Sequence, residues 1–408
     1  MSSDDRQVWI TGIGLLSSLG EGVDAHWSAV TGKNGPVIDE DSYAPYPVHP
    51  LVEVDFATQI KKRGDLRQME PWQRIGTYTA GLALEDAGLA GDLERLDKMD
   101  MIVAAGSGER DADMDQKVLE STTGENANKG HSNEILKSEL RPTLFLAQLS
   151  NLLAGNISIV HKVTGSSRTY MGEELAGLAA IENAFNRISS GQSDLMLIGG
   201  ANNAQRKDAL LIFELGQNLW GEKFKPIWER WQQGDDEHGG LVMGSVGAFL
   251  VLESAQHARE RGAKAYAKLT NIESGRCARA KGQAEKNLTE QFKAMSGNVG
   301  EGAIGIFSGA SGCTKADTEE LNFLQGLSEP LIRSYGSLLG HSFEAHMPAG
   351  VALAALSISK EEYPAPFDQA GREVEADGVP EQILVTSVGH WRGEGLALVS
   401  GVEPKEAK

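Results

Sequence analysis

Seven short apolar runs punctuate the chain, most of them closing on glycine or another small residue. They read VWITGIG at 8–14, MIVAAGSG at 101–108, DLMLIGGA at 194–201, GAFLVLE at 247–253, AIGIFSGAS at 303–311, ILVTSVG at 383–389 and LALVSG at 396–401. Their apolar residues are continuous rather than alternating, the pattern of strands buried on both faces. The glycines suit tight strand-to-helix turns. Helical segments lie between the runs. QRIGTYTAGLALEDAGL at 73–89 places Ile75, Tyr78, Leu82 and Ala83 at helical spacing and stops at Gly88. ELAGLAAIENAFNRISSG at 174–191 is rich in helix formers, and SAQHARERGA at 254–263 predicts a short polar helix. Strands alternating with helices argue for an α/β fold with sheets covered on both faces. The last third repeats strand, glycine-rich turn and helix around AIGIFSGAS, GSLLGHSFEAHMPAGVALAALSI and ILVTSVGHWRGEGLALVSG, a weak duplication of organisation. Segments 110–140 and 202–240 are polar and irregular and read as insertions or lids.

A chain of 408 residues suffices for two packed halves. No apolar run reaches membrane-spanning length, and the start, MSSDDRQVWITGIG, lacks the order of a signal peptide, so a cytoplasmic location is expected. Two cysteines, Cys277 and Cys313, make neither a disulfide framework nor a zinc-spaced pair. A net charge of −19 disfavours broad nucleic-acid binding and attraction to anionic membranes. The basic clusters Lys61, Lys62, Arg63 and Arg67, and Arg276, Arg279 and Lys281, read as solvated surface or as a local docking rim.

Several ordered blocks resemble the β-ketoacyl-acyl-carrier-protein synthases, condensing enzymes of the thiolase fold. VWITGIGLLSSLGEGVDAHWSAVTGKNG is similar to the family's opening strand, turn and helix. NISIVHKVTGSS resembles the strand and loop before the nucleophile, and SSGQSDLMLIGGANNA the helix end and strand after it. GGLVMGSVGAFLVLESAQHARERGAKAYAKL and GSLLGHSFEA resemble the mid-chain and second-histidine blocks. The resemblance runs from about residue 7 to 402. It implies a thiolase-like, five-layered αβαβα fold of two similar halves, 1–260 and 261–408, usually dimeric. It also implies decarboxylative condensation of acyl groups held on an acyl carrier protein, with no cofactor and no metal. That chemistry needs a thiol at a helix N-terminus, imidazoles that favour decarboxylation and stabilise the enolate, and an oxyanion hole.

Carried over residue by residue, most of this chemistry is substituted. Counting back from Gly199, Gly200 and Ala201 without a gap puts the family's nucleophilic cysteine at Glu174, with Gly177 in register after it. Glu174 is then either a space-filling helix-N-terminal carboxylate or a general base. The first histidine position reads Ser308, with Gly309 and Glu319 still matching. The second is His341. The family's lysine and glutamate near that histidine fall on Gly336 and Gly350. In the closing block, TSVGHWRGEG, Thr386, Ser387 and Gly389 keep a turn, and His390 takes the place of a gatekeeping aromatic. His390 and Gly389 are therefore the expected substrate-contact positions. Cys277 and Cys313 both read as ordinary small side chains, since neither opens a helix after a strand.

Two readings follow. One is a non-condensing partner, resembling chain-length-factor homologues that pair with an active ketosynthase and shape an acyl tunnel. Its interface is expected on NISIVHKVTGSS as an edge-pairing strand. The stretches APYPVHPL and QIKKRGDLRQMEPWQRIGTYTAGLALEDAGL further resemble alphaproteobacterial ketosynthase-like proteins associated with very-long-chain acyl groups of lipid A. The other is an active acyltransferase or malonyl decarboxylase using His341. A homodimeric acyl-chain binder is a third and plainer possibility.

Overall fold

The computed structural model describes residues 3–32, 34–123, 129–140, 148–231 and 239–402. All seven apolar runs fall in strands. We number the ten longer strands β1 Val8–Ser17, β2 Asp100–Ala104, β3 Ser167–Tyr170, β4 Leu195–Asn202, β5 Val246–Ser254, β6 Ala267–Gly275, β7 Gly305–Ser308, β8 Leu331–Ser334, β9 Gln382–Val388 and β10 Glu394–Ser400. They run in one sheet in the order β8-β7-β9-β10-β6-β1-β5-β4-β2-β3. Read outward from β1, the first half places its strands first, fifth, fourth, second and third. Read outward from β6, the second half does the same. The directions match too. β4, β2 and β3 are parallel, as are β9, β7 and β8, while β5 and β10 are antiparallel to their neighbours. The halves join where Val8–Ile10 pair with Ala267–Leu269.

The main helices are α1 Pro71–Asp86, α2 Leu152–His161, α3 Glu173–Ser189, α4 Lys207–Leu215, α5 Gln283–Met295, α6 Thr314–Gln325 and α7 His346–Lys360. α3 and α7 form the middle layer, touching strands of both halves. α1 and α2 cover the outer face of the first half, and α5 and α6 that of the second. These are the five expected layers. α7 is buried along nearly its whole length, as its unbroken HMPAGVALAALS run requires. α1 begins at Pro71 with a capping box between Glu70 and Gln73. It lies close on β1 because a Cβ at Gly14 would stand 2.2 Å from the Thr79 carbonyl. Among the described residues, no helix is long and apolar enough to cross a membrane.

Three expectations need correction. NISIVH is helical, the end of α2, and the edge strand is SRTY just beyond it. Ile157 is fully buried but Ile159 is 54% exposed, so the β-branched residues do not share one strand face. Segment 110–140 holds two paired helices, Ala112–Thr122 and Lys129–Glu139. Segment 202–240 carries α4, a short helix Ile227–Arg230, and residues outside the described set.

Candidate active site

The two glycine-rich blocks and the central helix converge on Glu174. It is the second residue of α3 and is 2% exposed. Gly172 (φ 124°) and Glu173 (φ 48°) turn the chain sharply into the helix through the left-handed region. The following loops bring two imidazoles to one carboxylate oxygen. His341 Nε2 donates to Glu174 Oε1 at 2.7 Å, and His390 Nδ1 donates to the same oxygen at 2.5 Å. Gly389 must be bare for this, since a Cβ there would lie 3.0 Å from Glu174 Oε2 and 2.4 Å from the Arg392 carbonyl. Glu174, His341 and His390 thus meet, and the donor atoms lie within 4.8 Å of one another. Hydrogen bonding alone accounts for the cluster.

Electrostatics divide the two histidines. Burial opposes ionisation of Glu174, yet the His390 charge and both imidazole hydrogen bonds hold its carboxyl well below the usual range. Burial also opposes charge on His390, but Cys313 and Glu174 hold it well above the usual imidazole value. His341 is pushed down, chiefly by burial, despite Glu174. The centre is therefore a carboxylate paired with the imidazolium of His390, with a neutral His341 beside them. An aromatic wall closes it. Phe343 meets His341 edge-on at 4.7 Å, Phe213 of α4 stacks on Phe343 at 4.6 Å, and the half-exposed Trp391 stacks on Phe213 at 5.3 Å.

Ser308 is not drawn into this cluster. Its hydroxyl donates at 2.7 Å to Glu320, which also accepts from Thr386. Burial pushes the Glu320 carboxyl up to about 7. The sequence reading missed the residues that fill the positions of the family's lysine and glutamate. Val385 and the Tyr335 ring lie 2.7 and 2.8 Å from where a Gly350 Cβ would stand, and Ile227 lies 2.8 Å from a Gly336 Cβ. Tyr335 and His346 pack at 4.5 Å, and His346 packs on His341 at 4.4 Å. Glu344, buried and pushed up to about 7, also went unnoticed. Cys313, expected to open no helix, is the N-cap of α6 after the β7 loop.

A family model described as "Beta-ketoacyl synthase, N-terminal domain" matches residues 5–258. The chain belongs to the β-ketoacyl synthase family. Among curated family relatives, 3-oxoacyl-[acyl-carrier-protein] synthase 2 of Vibrio harveyi is 27% identical over 276 residues, 65% of this chain and 62% of the relative. The Rhizobium meliloti protein of the same name is 26% identical over 277 residues, covering 65% and 63%. The matches thus span less than two thirds of those relatives. Among solved structures, the ishigamide ketosynthase/chain length factor has a TM-score of 0.78 at 20% identity, covering 97% of this chain and 99% of that one. A β-ketoacyl synthase from Burkholderia phymatum gives 0.78 at 19%, covering 97% and 100%. At these identities the structures establish the fold, a thiolase-like ketosynthase fold.

Proposed function

We propose that the chain is a non-condensing β-ketoacyl synthase homologue of fatty acid or polyketide synthesis, acting as a chain-length-factor-like partner of a cysteine-bearing ketosynthase. One observation carries this. The second residue of α3, Glu174, is a buried carboxylate, and both imidazoles are committed to it by hydrogen bonds. A carboxylate cannot carry the acyl thioester, and imidazoles bound to it are not free to receive a malonyl group. Likeness to the ishigamide ketosynthase/chain length factor, and to a type II ketosynthase solved in complex with its acyl-carrier protein, supports an acyl carrier protein and a heterodimer as partners. A division into halves near residue 260, a cytoplasmic location and very long acyl chains belong to the same reading.

The test is condensation with acyl- and malonyl-carrier-protein, for the native chain alone and with a co-expressed cysteine-bearing ketosynthase. The native chain alone is expected to release no β-ketoacyl product, while the co-expressed pair co-purifies and condenses. Product from the native chain alone sinks the reading.

A further inference from the structure

We propose that Glu174, His341 and His390 together form a binding site for a divalent cation of the zinc class. Hydrogen bonds already bring the three donor atoms together. Glu174 Oε1, His341 Nε2 and His390 Nδ1 all lie within 4.8 Å of one another, and both nitrogens point at the carboxylate oxygen, from 2.7 and 2.5 Å. A tetrahedral zinc ion with bonds of about 2.0–2.1 Å sets its donors roughly 3.4 Å apart, so side-chain shifts of less than about 1 Å admit it. Two imidazoles with one carboxylate suit zinc and its transition-metal neighbours, whereas magnesium and calcium prefer oxygen donors throughout. Two of the donors, Glu174 and His390, stand where the family resemblance expects a cysteine and an aromatic residue. Both substitutions converge on the one histidine that is kept, His341.

The surroundings fix the donors as a ligand set must be fixed. His390 Nε2 lies 3.2 Å from Ser311 Oγ, which donates at 3.3 Å to Asp317, so a hydroxyl and a carboxylate stand behind the far nitrogen. Arg279 fastens both ends of the short loop that carries His390, donating to the Gly389 carbonyl at 2.9 Å and to the Gly393 carbonyl at 2.7 Å. His341 is held through its backbone. Its N–H donates to the Val242 carbonyl at 2.7 Å, and its carbonyl accepts from Gly244 N–H at 2.8 Å. The ion takes the place of the two bridging protons. The proton on His341 Nε2 moves to Nδ1, which is buried and has no hydrogen-bond partner among the described residues. The proton on His390 Nδ1 is released, and Nε2–H stays on Ser311. Three protein donors leave a fourth position for a water or an incoming oxygen ligand. The site goes beyond the function proposed above and rests on the geometry alone.

The experiment strips the full chain with EDTA, dialyses it against zinc chloride and counts the bound metal by plasma mass spectrometry. Cobalt(II) chloride is added in parallel and the visible spectrum recorded. One zinc per chain is expected, with a four- or five-coordinate cobalt spectrum free of sulfur-to-metal charge transfer. The spectrum needs no variant, so it decides even where a substituted chain fails to fold. Zinc affinity should fall by more than about 100-fold in Glu174→Gln and His390→Gln, and by about 10-fold in Ser311→Ala, which removes only the hydroxyl behind His390. It should stay unchanged in His257→Gln, whose histidine pairs with Glu253 outside the site. A native chain that retains no zinc overturns the proposal, as does a folded Glu174→Gln chain of unchanged affinity. A six-coordinate cobalt spectrum, or one with sulfur-to-metal charge transfer, also overturns it by placing the ion on other donors.

Discussion

Two opposing forces meet at the Glu174 carboxylate: the cost of burying a charge, and the attraction of an imidazolium held against it. Removing one partner of such a pair strands the other, so Glu174→Gln is expected to cost about 3 kcal/mol in urea unfolding. The loss should depend on pH. Glu174, depressed in the fold, contributes stability above its ordinary value of 4.5 and loses it as pH falls. His390, raised in the fold, contributes fully below its ordinary value of 6.5 and loses that contribution as pH rises through the raised value. The gap between native and Glu174→Gln chains should therefore be widest between pH 4.5 and 6.5. A gap that does not vary with pH would refute the ion pair. Glu174, His341 and His390 were all legible in the sequence because each sits in a glycine-bounded block with a countable register. What a linear reading could not supply was the partner of Ser308, since Glu320 reaches it from the next helix.

At the scale of elements, side chains from neighbouring elements leave two glycines no room for a Cβ. Gly336 is closed off by Ile227 and the Ala310 carbonyl, and Gly350 by Val385 and the Tyr335 ring. A side chain at Gly350 has nowhere to go, so Gly350→Ala is expected to destabilise by about 2 kcal/mol, read by thermal and urea unfolding. Paired with Tyr335→Leu, which removes the ring atoms but leaves Val385 2.7 Å from the new Cβ, the cost should fall in part. Glu320 makes an opposite prediction. Its carboxyl is raised from 4.5 to about 7, so the folded chain binds the proton more tightly than the unfolded one, and stability falls as pH rises across that window. Glu320→Gln keeps an acceptor for Ser308 and Thr386 and should flatten that fall; an unaltered profile counts against it. The strands and long helices were readable because their burial is continuous. The end of α2 was not, because NISIV carries β-branched residues whose helical setting depends on Leu153 and Ala154 packing inward one turn earlier.

Across the whole molecule, the edge of the sheet is the natural place for a partner. Met101 N–H donates to Ser166 and Ala105 N–H to Tyr170, so within β3 Ser167 and Thr169 turn their backbone groups outward. Thr169→Pro removes an outward donor and spares the ladder to β2. If a dimer forms across this edge, light scattering should show it reduced to a monomer. A dimer that survives places the interface elsewhere.

The shared middle layer also governs how such a chain comes into being. α7 lies against β1, β4 and β5, and on the side of β1 away from β5 its first residues, Val8–Ile10, pair with β6. A ribosome that has released the first half, through β5, has therefore made a sheet whose inner face still lacks half its cover. That face must wait, apolar and open, until the last third emerges. Packing of that face is therefore expected to come late in synthesis, the stage at which exposed apolar surface invites aggregation.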